Sequence, residues 1–492
     1  MEKRLNRLIR KIKKYNPSAN VALIKKAYEF AEIAHAGQKR LSGDPVMEHL
    51  ISAAEILTDL KMDSTSIACA FLHDSIEDAG VTREELTKEF GEEVALLVEG
   101  VSKVGFLKLR GEKEEEFVEN LRKMILVMSK DLRVVFIKLS DRLHNLRTLK
   151  YLPKEKQYRI AKETLEVYAP LADRMLIGRL KGELEDLAFP YVYPKEYEWL
   201  ILETSSSLKK REQDLEKAIK TLQGELNKER IKAEVNGRTK HLYSLWRKLM
   251  RPEIDKDINK IYDLVAVRIL VRSVRDCYAA LGIVHKIWRP VPHEGISDFI
   301  AQPKPNGYRS IHTKVFGPNG RVIEIQIRTY QMHEETENGV AAHWNYAQQK
   351  TKGVSDQKLG KGVFAPNDKM VWVKELVAWQ KEIVDSKEFL DSLKFDGLAN
   401  RIYVFSPKGD VYDLPAGATP VDFAYAVHTQ IGNEIDGAIV GGKMVSLSTK
   451  LKNGDVVEII NKKRSHPSEK WLEFVVTTAA KREISKYLRR GT

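Results

Sequence analysis

The sequence has few features of exported or membrane-bound proteins. It contains two cysteines, Cys69 and Cys277, too few for a disulfide framework or a cysteine zinc site, which is the usage expected in a reducing cytoplasm. No run approaches the ~18 consecutive apolar residues that span a bilayer, and the basic segment 1–15 lacks the apolar core of a secretory signal. A Walker A motif is also missing, which excludes P-loop chemistry as the basis of any ATP use. We therefore expect a cytoplasmic protein without membrane contact.

Charge is distributed unevenly along the 492 residues, whose formal net charge is +13 at pH 7. Residues 1–14 hold seven basic and one acidic residue, and residues 461–492 hold nine basic and three acidic residues, so the body between them is nearly neutral. This pattern argues against a protein that coats nucleic acid along its whole surface. The basic ends are either partner contacts or solvated helix faces, and 461–492 is the better candidate for contact with RNA.

Hydrophobic periodicity divides the chain into a helical part and an α+β part. Apolar residues spaced by three and four predict helices through 1–190, followed by a long charged helical stretch at 196–233. Beyond it, β-branched runs at 264–271 and 322–327 predict strands, with a helix near 276–287 between them. Short strand-like runs around one more helix, at 421–429, predict a small α+β module towards the C-terminus.

Four side chains in the helical part form a candidate metal site. They are His49, His73, Asp74 and Asp141. This mixed nitrogen and oxygen set suits a divalent ion such as manganese. Glu77 and Asp78 come one helical turn after His73 and Asp74. At that position a carboxylate can relay the proton of a metal-bound water, whose pKa the metal lowers. The alternative is a group of ordinary helix polars, but the apolar run before them places them against a core.

A second set of polar residues belongs to the predicted strands. In the run 322–328, the isoleucines share one face while Glu324, Gln326 and Arg328 share the other. A solvated antiparallel sheet would also show this alternation. Basic residues nearby, Arg238, Lys240 and Arg268, could neutralise a triphosphate.

Two further features support nucleotide chemistry in this part. Asp263 opens the predicted strand 264–271 and could hold magnesium; since Arg268 falls on the opposite face of a regular strand, either Asp263 precedes the strand or a bulge intervenes. The segment 304–312 contains an Asn-Gly turn, a tyrosine that could stack on a base, and basic residues for phosphates.

The helical part resembles the hydrolase domain of RelA/SpoT homologues, which belong to the HD-domain phosphohydrolases. The runs at 40–45 and 138–145 carry the resemblance, together with the histidine-aspartate pair. It implies that the four metal candidates bind manganese, that Glu77 and Asp78 support the attacking water, and that the 3′-pyrophosphate of (p)ppGpp is removed. The implied nucleotide contacts are Arg40, Ser42, Asn145 and Thr148.

The second part resembles the synthetase domain of the same family. The resemblance is carried by the runs 262–268, 306–313, 324–329 and 339–344. It implies transfer of pyrophosphate from ATP to the 3′-OH of GDP or GTP, with Asp263 binding magnesium, Glu324 activating the hydroxyl and Tyr308 stacking on guanine. The implied nucleotide contacts are Arg238, Lys240, Arg268, Lys304, Asn306, Tyr308, His312, Gln326 and Arg328. The segment 293–298 departs from both versions of a family motif associated with the preference for GDP or GTP, so that preference stays open.

Residues 401–463 resemble a TGS domain, which in long RelA/SpoT homologues senses uncharged tRNA. The resemblance places His428 at the tRNA 3′ end and implies ribosome contact through this module and the segment after it. The alternative is a histidine that only ends a helix. The chain stops in the helical segment that follows the TGS domain in this family, before the zinc-finger-like and ACT domains of long members.

We therefore expect a multidomain α and α+β protein: an all-helical HD-type hydrolase domain, a mixed-sheet nucleotidyltransferase-like synthetase domain and a small α+β TGS domain. The expected boundaries are 1–195 for the hydrolase, 196–350 for the synthetase with its leading helix, 351–397 for a loop and helix, 398–464 for TGS, and 465–492 for a helical segment. The main expectation is a bifunctional enzyme under reciprocal control, with 196–233 as the coupling element. The alternatives are a hydrolase with an impaired synthetase, and a tRNA- or ribosome-binding sensor with vestigial catalytic domains.

Overall fold

The computed structural model describes eight stretches of the chain and the single positions 122, 126 and 128. The stretches are 1–103, 131–252, 254–261, 264–292, 296–303, 307–338, 401–462 and 464–490. Three predicted site residues, Asp263, Lys304 and Asn306, lie outside the described residues, as does the segment 351–397. The described residues form two compact units, the first reaching residue 338 and the second beginning at 401.

The first half of the first unit is helical, as predicted. Its helices are α1 (Glu2–Tyr15), α2 (Val21–Ala34), α3 (Val46–Asp59), α4 (Ser64–Leu72), α5 (Ser75–Asp78), α6 (Arg83–Phe90), α7 (Glu92–Lys103), α8 (Arg133–Arg147), α9 (Lys154–Glu163), α10 (Ala169–Arg174) and α11 (Gly178–Val192). Polar side chains begin several of them: Asn20 accepts from the Leu23 amide at the start of α2, and Thr82 forms a capping box with Glu85 at the start of α6.

Helix α4 is the most deeply buried element of this helical part. Its residues from Ser66 to Leu72 are all 0 % exposed, and it packs against α2, α3 and α7. Asp63 caps its first turn by accepting from the Ser66 amide at 2.8 Å, and His73 follows its last residue. A helix held on all sides delivers that histidine to a fixed position.

The second half of the first unit is a mixed sheet with helices packed against it. Helix α12 (Pro194–Lys228) leads into β1 (Ala233–Thr239), followed by α13 (Leu242–Leu249), β2 (Val265–Val271), α14 (Val274–Ile287), β3 (Ile296–Asp298), β4 (Ile311–Phe316), β5 (Val322–Thr329) and α15 (Tyr330–Asn338). The strand order is β1-β2-β5-β4-β3, with β2 and β5 parallel and the other neighbours antiparallel. The predicted mixed sheet is confirmed.

The sheet separates an apolar face from a polar face. Isoleucines 323, 325 and 327 are buried against apolar side chains of α12 and α14. The charged stretch predicted as helical to residue 233 ends earlier, at Lys228, because Arg230 adopts a left-handed backbone conformation (φ 59°) that no helix continues. Alternate residues of the strands therefore face away from this core.

The second unit is a small α+β fold. It contains β6 (Arg401–Phe405), β7 (Val411–Pro415), α16 (Pro420–Val427), α17 (Thr429–Asn433), β8 (Ile435–Val440), β9 (Lys443–Val445), β10 (Val457–Asn461) and α18 (Thr478–Arg490). The predicted single helix at 421–429 is wrong at its end. His428 is extended (φ −167°) and its Nδ1 accepts from the Gln430 amide, so one helix stops and α17 begins.

Among the residues that the structure describes, no helix combines the length and the apolar character needed to cross a membrane.

Candidate functional sites

The four predicted metal ligands converge in the helical part. His49 lies on α3, His73 follows α4 and Asp141 lies on α8, with one ligand atom of each within 4.8 Å of the other two. His49 Nε2 is 3.2 Å from His73 Nε2 and 3.4 Å from Asp141 Oδ1. Asp74 adds a carboxylate, whose Oδ1 is 3.2 Å from His73 Nε2. Two imidazoles and two carboxylates at these distances are a donor set that fits a divalent metal ion.

Hydrogen bonds on the far side of each ring determine which nitrogen faces this cluster. His73 Nδ1 donates to the Ala70 carbonyl oxygen at 2.8 Å, which leaves the lone pair on Nε2. His49 Nδ1 lies 2.7 Å from His144 Nδ1, and burial lowers the pKa of His144 to about 3. A neutral His144 can accept from His49 Nδ1–H, so His49 also presents Nε2. The sequence analysis gave His144 no role, although its position three residues after Asp141 on one helix indicates a shared face.

Acidic and basic groups surround the cluster. Glu77 and Asp78 lie on α5, and burial raises the pKa of both carboxyl groups. Lys138, which the sequence analysis did not single out, places Nζ 3.3 Å from Asp141 Oδ2. Burial alone would raise the pKa of Asp141, but Lys138 and His49 hold it well below its ordinary value. Asp141 is therefore ionised and able to bind a cation.

A pocket of about 780 Å³ opens beside the cluster. It is lined by His49, Asp74, Glu77, Asp78 and Asp141, by the four predicted nucleotide contacts Arg40, Ser42, Asn145 and Thr148, and by Lys39, Lys138, Lys156 and Arg159, which were not predicted. Its size is in the range of small-molecule sites. Lys138 pairs with Asp141, but four further basic side chains, Lys39, Arg40, Lys156 and Arg159, also line the pocket. The pocket therefore suits a polyanionic ligand.

Asn145 connects the metal cluster to the wall of this pocket. Its Nδ2 donates to Asp141 Oδ1 at 2.6 Å. Its Oδ1 accepts from the Arg40 guanidinium at 2.5 Å. These two bonds fix the orientation of the amide and hold Arg40 towards the pocket, where a guanidinium can contact phosphate or stack on a base.

The polar face of the sheet collects most of the second set of predicted residues. Gln326 of β5 is paired with Arg268 of β2 on one side and with His312 of β4 on the other. Glu324 is paired with Ala266 and Lys314, and Arg238 of β1 is also opposite Ala266. Since paired residues point to the same face of a sheet, these side chains form one polar surface.

Two arginines of this face are held by an acidic residue of α15. Glu337 Oε1 lies 3.5 Å from Arg268 and 3.3 Å from Arg328, measured to the NH2 of each. Arg328 is 0 % exposed, and burial lowers its pKa to about 10. Its Nε and NH1, and Nε of Arg268, have no hydrogen-bond partner among the described residues. Buried guanidinium donors of this kind suit phosphate oxygens.

Tyr308, His312 and Glu324 form a hydrogen-bonded chain. The Tyr308 hydroxyl is 2.7 Å from His312 Nε2, and His312 Nδ1 is 2.8 Å from Glu324 Oε1. Gln326 Nε2 donates to the same carboxylate oxygen at 3.3 Å. Burial raises the pKa of Tyr308, so its hydroxyl stays protonated.

The remaining predicted residues of this part lie at its margins. Lys240 follows β1, and its amide donates to the Leu264 carbonyl oxygen at 3.2 Å. Strand β2 begins at Val265 and pairs without a register shift to Val271, so no bulge interrupts the described strand. Of the departing segment 293–298, the structure describes Ile296–Asp298 as the edge strand β3.

His428 lines a pocket of about 410 Å³ within the second unit. Three of the other lining residues, Ser465, His466 and Tyr487, come from the segment after the sheet. The Tyr487 hydroxyl and His466 Nδ1 are 2.8 Å apart. The sequence analysis did not predict this wall, because it depends on how α18 returns to α17.

Comparison with known proteins gives three matching families in the same order. Residues 27–178 match the HD domain, 237–351 match the region found in RelA / SpoT proteins, and 402–461 match the TGS domain.

Curated relatives are similar over almost the whole chain. The chain is 45 % identical over 482 residues to the GTP pyrophosphokinase of Myxococcus xanthus, covering 97 % of this chain and 62 % of that protein. It is 44 % identical over 478 residues to the bifunctional (p)ppGpp synthase/hydrolase RelA of Mycobacterium tuberculosis, covering 96 % and 63 %. It is 44 % identical over 468 residues to the guanosine-3′,5′-bis(diphosphate) 3′-pyrophosphohydrolase of Aquifex aeolicus, covering 95 % and 64 %. The chain therefore carries matches to these three domain families, and it spans about three fifths of the length of these relatives.

Proposed function

We propose that the chain is a bifunctional alarmone enzyme of the stringent response. One site would hydrolyse the 3′-pyrophosphate of (p)ppGpp to GDP or GTP, and the other would transfer pyrophosphate from ATP to the 3′-OH of GDP or GTP. The observation that carries the proposal is the presence, in one unit, of two separate polar sites with different donor sets: an imidazole-carboxylate cluster in a basic pocket, and a sheet face of arginines around Glu324.

In the hydrolase site, His49, His73 and Asp141, with Asp74, would hold manganese. The bound ion supplies a Lewis acid that lowers the pKa of the attacking water. Glu77 and Asp78 lie on the pocket wall and would take the proton of that water. The nucleotide contacts Arg40, Ser42, Asn145 and Thr148 would hold the guanosine part, and the Asn145 bonds would fix its distance from the cluster.

Incubation with manganese and ppGpp tests the hydrolase site. The wild-type chain should release pyrophosphate, and Glu77→Gln/Asp78→Asn should not, because neither amide can accept the proton. Glu84→Gln, an exposed position on α6, is the matched control and should keep the wild-type rate. Wild-type release by the double variant would refute the assignment of these two carboxylates.

In the synthetase site, the polar face of the sheet would hold the two nucleotides. Asp263 would bind magnesium, which neutralises phosphate charge. Arg238 and Arg268 would hold the adenine side, Lys240 and Lys304 would contact phosphates, and Tyr308 would stack on guanine. Asn306, His312, Gln326 and Arg328 complete the proposed contacts. Glu324 would accept the proton of the ribose hydroxyl.

Incubation with magnesium, ATP and GDP or GTP tests the synthetase site. A slower-migrating guanosine product should form, and Glu324→Gln should abolish it. Absence of product from folded wild-type chain, with hydrolysis intact, would establish the hydrolase-only alternative. The ratio of rates with GDP and GTP measures the preference that the departing segment leaves open.

The pocket at His428 favours a second candidate function, contact with uncharged tRNA and the ribosome through the TGS domain and the basic residues after it. Here the supporting observation is a cavity lined by two histidines and a tyrosine. Uncharged tRNA should bind the wild-type chain more tightly than aminoacylated tRNA, and His428→Ala should remove this difference. Retained tRNA binding with no activity in either incubation would favour the sensor alternative.

A further inference from the structure

The chain Tyr308–His312–Glu324 joins the residue proposed to stack on a base to the residue proposed to take a proton. Both of its links are short, 2.7 Å from the tyrosine oxygen to His312 Nε2 and 2.8 Å from His312 Nδ1 to Glu324 Oε1. His312 lies on β4 and Glu324 on β5, two residues apart in register because His312 is paired with Gln326. The sheet therefore sets this geometry.

The direction of each hydrogen bond follows from what the three groups can donate. An ionised Glu324 only accepts, so Nδ1 of His312 carries the hydrogen. In the neutral ring Nε2 is then bare and accepts from the Tyr308 hydroxyl. The carboxylate thus selects the tautomer in which the imidazole donates to Glu324, and the bond from the hydroxyl stabilises it.

The ring positions are also fixed by packing. Phe299 contacts both aromatic rings edge-on, with ring centroids 6.0 Å from Tyr308 and 5.4 Å from His312. The side chain of Glu324 is 12 % exposed and that of His312 is 21 % exposed. A partly buried carboxylate in a fixed orientation is what proton abstraction from a bound hydroxyl requires.

We propose that His312 and the Tyr308 hydroxyl are positioning groups for Glu324 in pyrophosphate transfer; this rests on the synthetase function proposed above. In the reaction the ribose O–H bond breaks and its proton goes to Glu324. The ribose oxygen bonds to the β-phosphorus of ATP, and the bond from that phosphorus to the bridging oxygen breaks, with AMP as the leaving group. No proton passes through His312, whose part in the transfer step is to orient the carboxylate.

Tyr308→Phe is the sharpest test, because it keeps the ring for stacking and removes only the hydroxyl. In the transfer assay with magnesium, ATP and GDP, we expect kcat to fall at least about tenfold, while KM for each nucleotide changes by no more than about twofold. His312→Gln should lower kcat by a similar factor. Nitrogen NMR of the His312 ring should show a bare Nε2 in the wild-type chain and a changed tautomer ratio in Tyr308→Phe.

His285→Gln is the matched control. His285 Nε2 is 2.9 Å from the Thr313 hydroxyl oxygen, so this variant also removes a histidine bond to β4, at the residue whose side chain points to the opposite face. Its kcat should equal that of the wild-type chain. A wild-type kcat in Tyr308→Phe would overturn the proposal, and so would a raised KM with unchanged kcat in His312→Gln. Either result leaves His312 as a substrate contact only. A wild-type chain that binds both nucleotides without transfer would overturn the synthetase function itself.

Discussion

At the scale of single residues, the candidate metal site depends on bonds made away from the metal. His73 is oriented by the Ala70 carbonyl oxygen and His49 by His144. Each bond places the hydrogen on Nδ1 and leaves Nε2 for the ion. The affinity of the site for its metal ion should therefore depend on residues that do not themselves contact the ion.

His144→Ala removes the acceptor for His49 Nδ1–H. We expect the affinity for Mn²⁺ to fall about 10–100-fold, whereas His144→Gln, which keeps an acceptor oxygen, should retain most of it. Calorimetric titration of the metal-free chain with Mn²⁺ measures both. Equal affinities of the alanine variant and the wild-type chain would show that His144 does not orient the ligand.

Sequence reasoning found the charged and ligand-type residues but not the residues that orient them. His49 and Asp141 could be predicted as site residues, because a metal-ligating side chain within a mostly apolar helix indicates a function. His144, Lys138 and Glu337 contact site residues in the structure. In the sequence, each looks like an ordinary polar residue of a helix. Their roles depend on which other element faces them, which local pattern does not contain.

At the scale of elements, α4 (Ser64–Leu72) shows how a buried helix carries a site. Its N-terminal end is fixed by Asp63, whose side chain is 1 % exposed and whose Oδ2 is 3.1 Å from the Arg133 guanidinium. Arg133 begins α8, the helix that carries Asp141. One ion pair therefore sets the relative position of two helices that each supply a metal ligand.

Asp63→Ala removes the helix cap and one of the acidic partners of Arg133, which keeps Glu93 and Asp131. We expect the free energy of unfolding of the helical part to fall by about 1–2 kcal/mol, since a lost N-cap and a lost hydrogen bond to a charged group each cost about 1 kcal/mol. Asp63→Asn keeps the cap oxygen and should cost less. Urea unfolding followed by circular dichroism compares them, and an unchanged midpoint in Asp63→Ala would refute the structural role of the pair.

The strands illustrate where local patterns succeed and where they fail. Strand β5 was predicted with its polar face, because strict alternation over 322–328 admits few other interpretations. Strand β1 (Ala233–Thr239) was not predicted, since Val235 is its one buried large apolar residue and Gly237 lowers its strand propensity. It forms because β2 offers a partner, which is a tertiary effect.

At the scale of the whole first unit, the hydrolase-like helices and the synthetase-like sheet are joined through α11 (Gly178–Val192). Asp186 Oδ2 on this helix is 2.7 Å from Nδ1 of His241, which lies two residues after the end of β1. The ring of His241 also covers Gly182, where an added Cβ would lie 2.2 Å from ring atoms. The two parts therefore meet at a contact with no spare volume.

Gly182→Ala should displace His241 and destabilise the joint. We expect the free energy of unfolding to fall by about 1–3 kcal/mol, the usual cost of overpacking, and the transfer rate to fall more than the hydrolysis rate. Gly224→Ala on α12 is the control, because its Cβ would meet nothing within 4 Å and it should instead stabilise the helix by about 0.5–1 kcal/mol. Equal effects of the two variants would contradict the role of the close contact.

Helix α12 is the candidate element for the predicted reciprocal control, because its residues pack in two hydrophobic cores. Leu200 packs with Phe189 of α11, and Leu222 packs under the sheet. We expect a non-hydrolysable (p)ppGpp analogue bound in the hydrolase site to lower the transfer rate about fivefold or more, and Leu200→Ala to weaken this effect. Undiminished rates with both sites occupied would refute reciprocal control.

The hairpin of β4 and β5 makes the synthetase-like site unusually sensitive to chain length. A short connection, closed by the Gly317 amide donating to the Arg321 carbonyl oxygen at 2.8 Å, sets the register of the two strands. Inserting one residue within the first half of β5 would move the buried isoleucines to the polar face and Glu324 to the buried face. Inserting two residues in the connection with a shift of register would move His312 away from Glu324. Natural variation should therefore change the composition of this connection while keeping its length, and insertions tolerated elsewhere on the surface should be absent here.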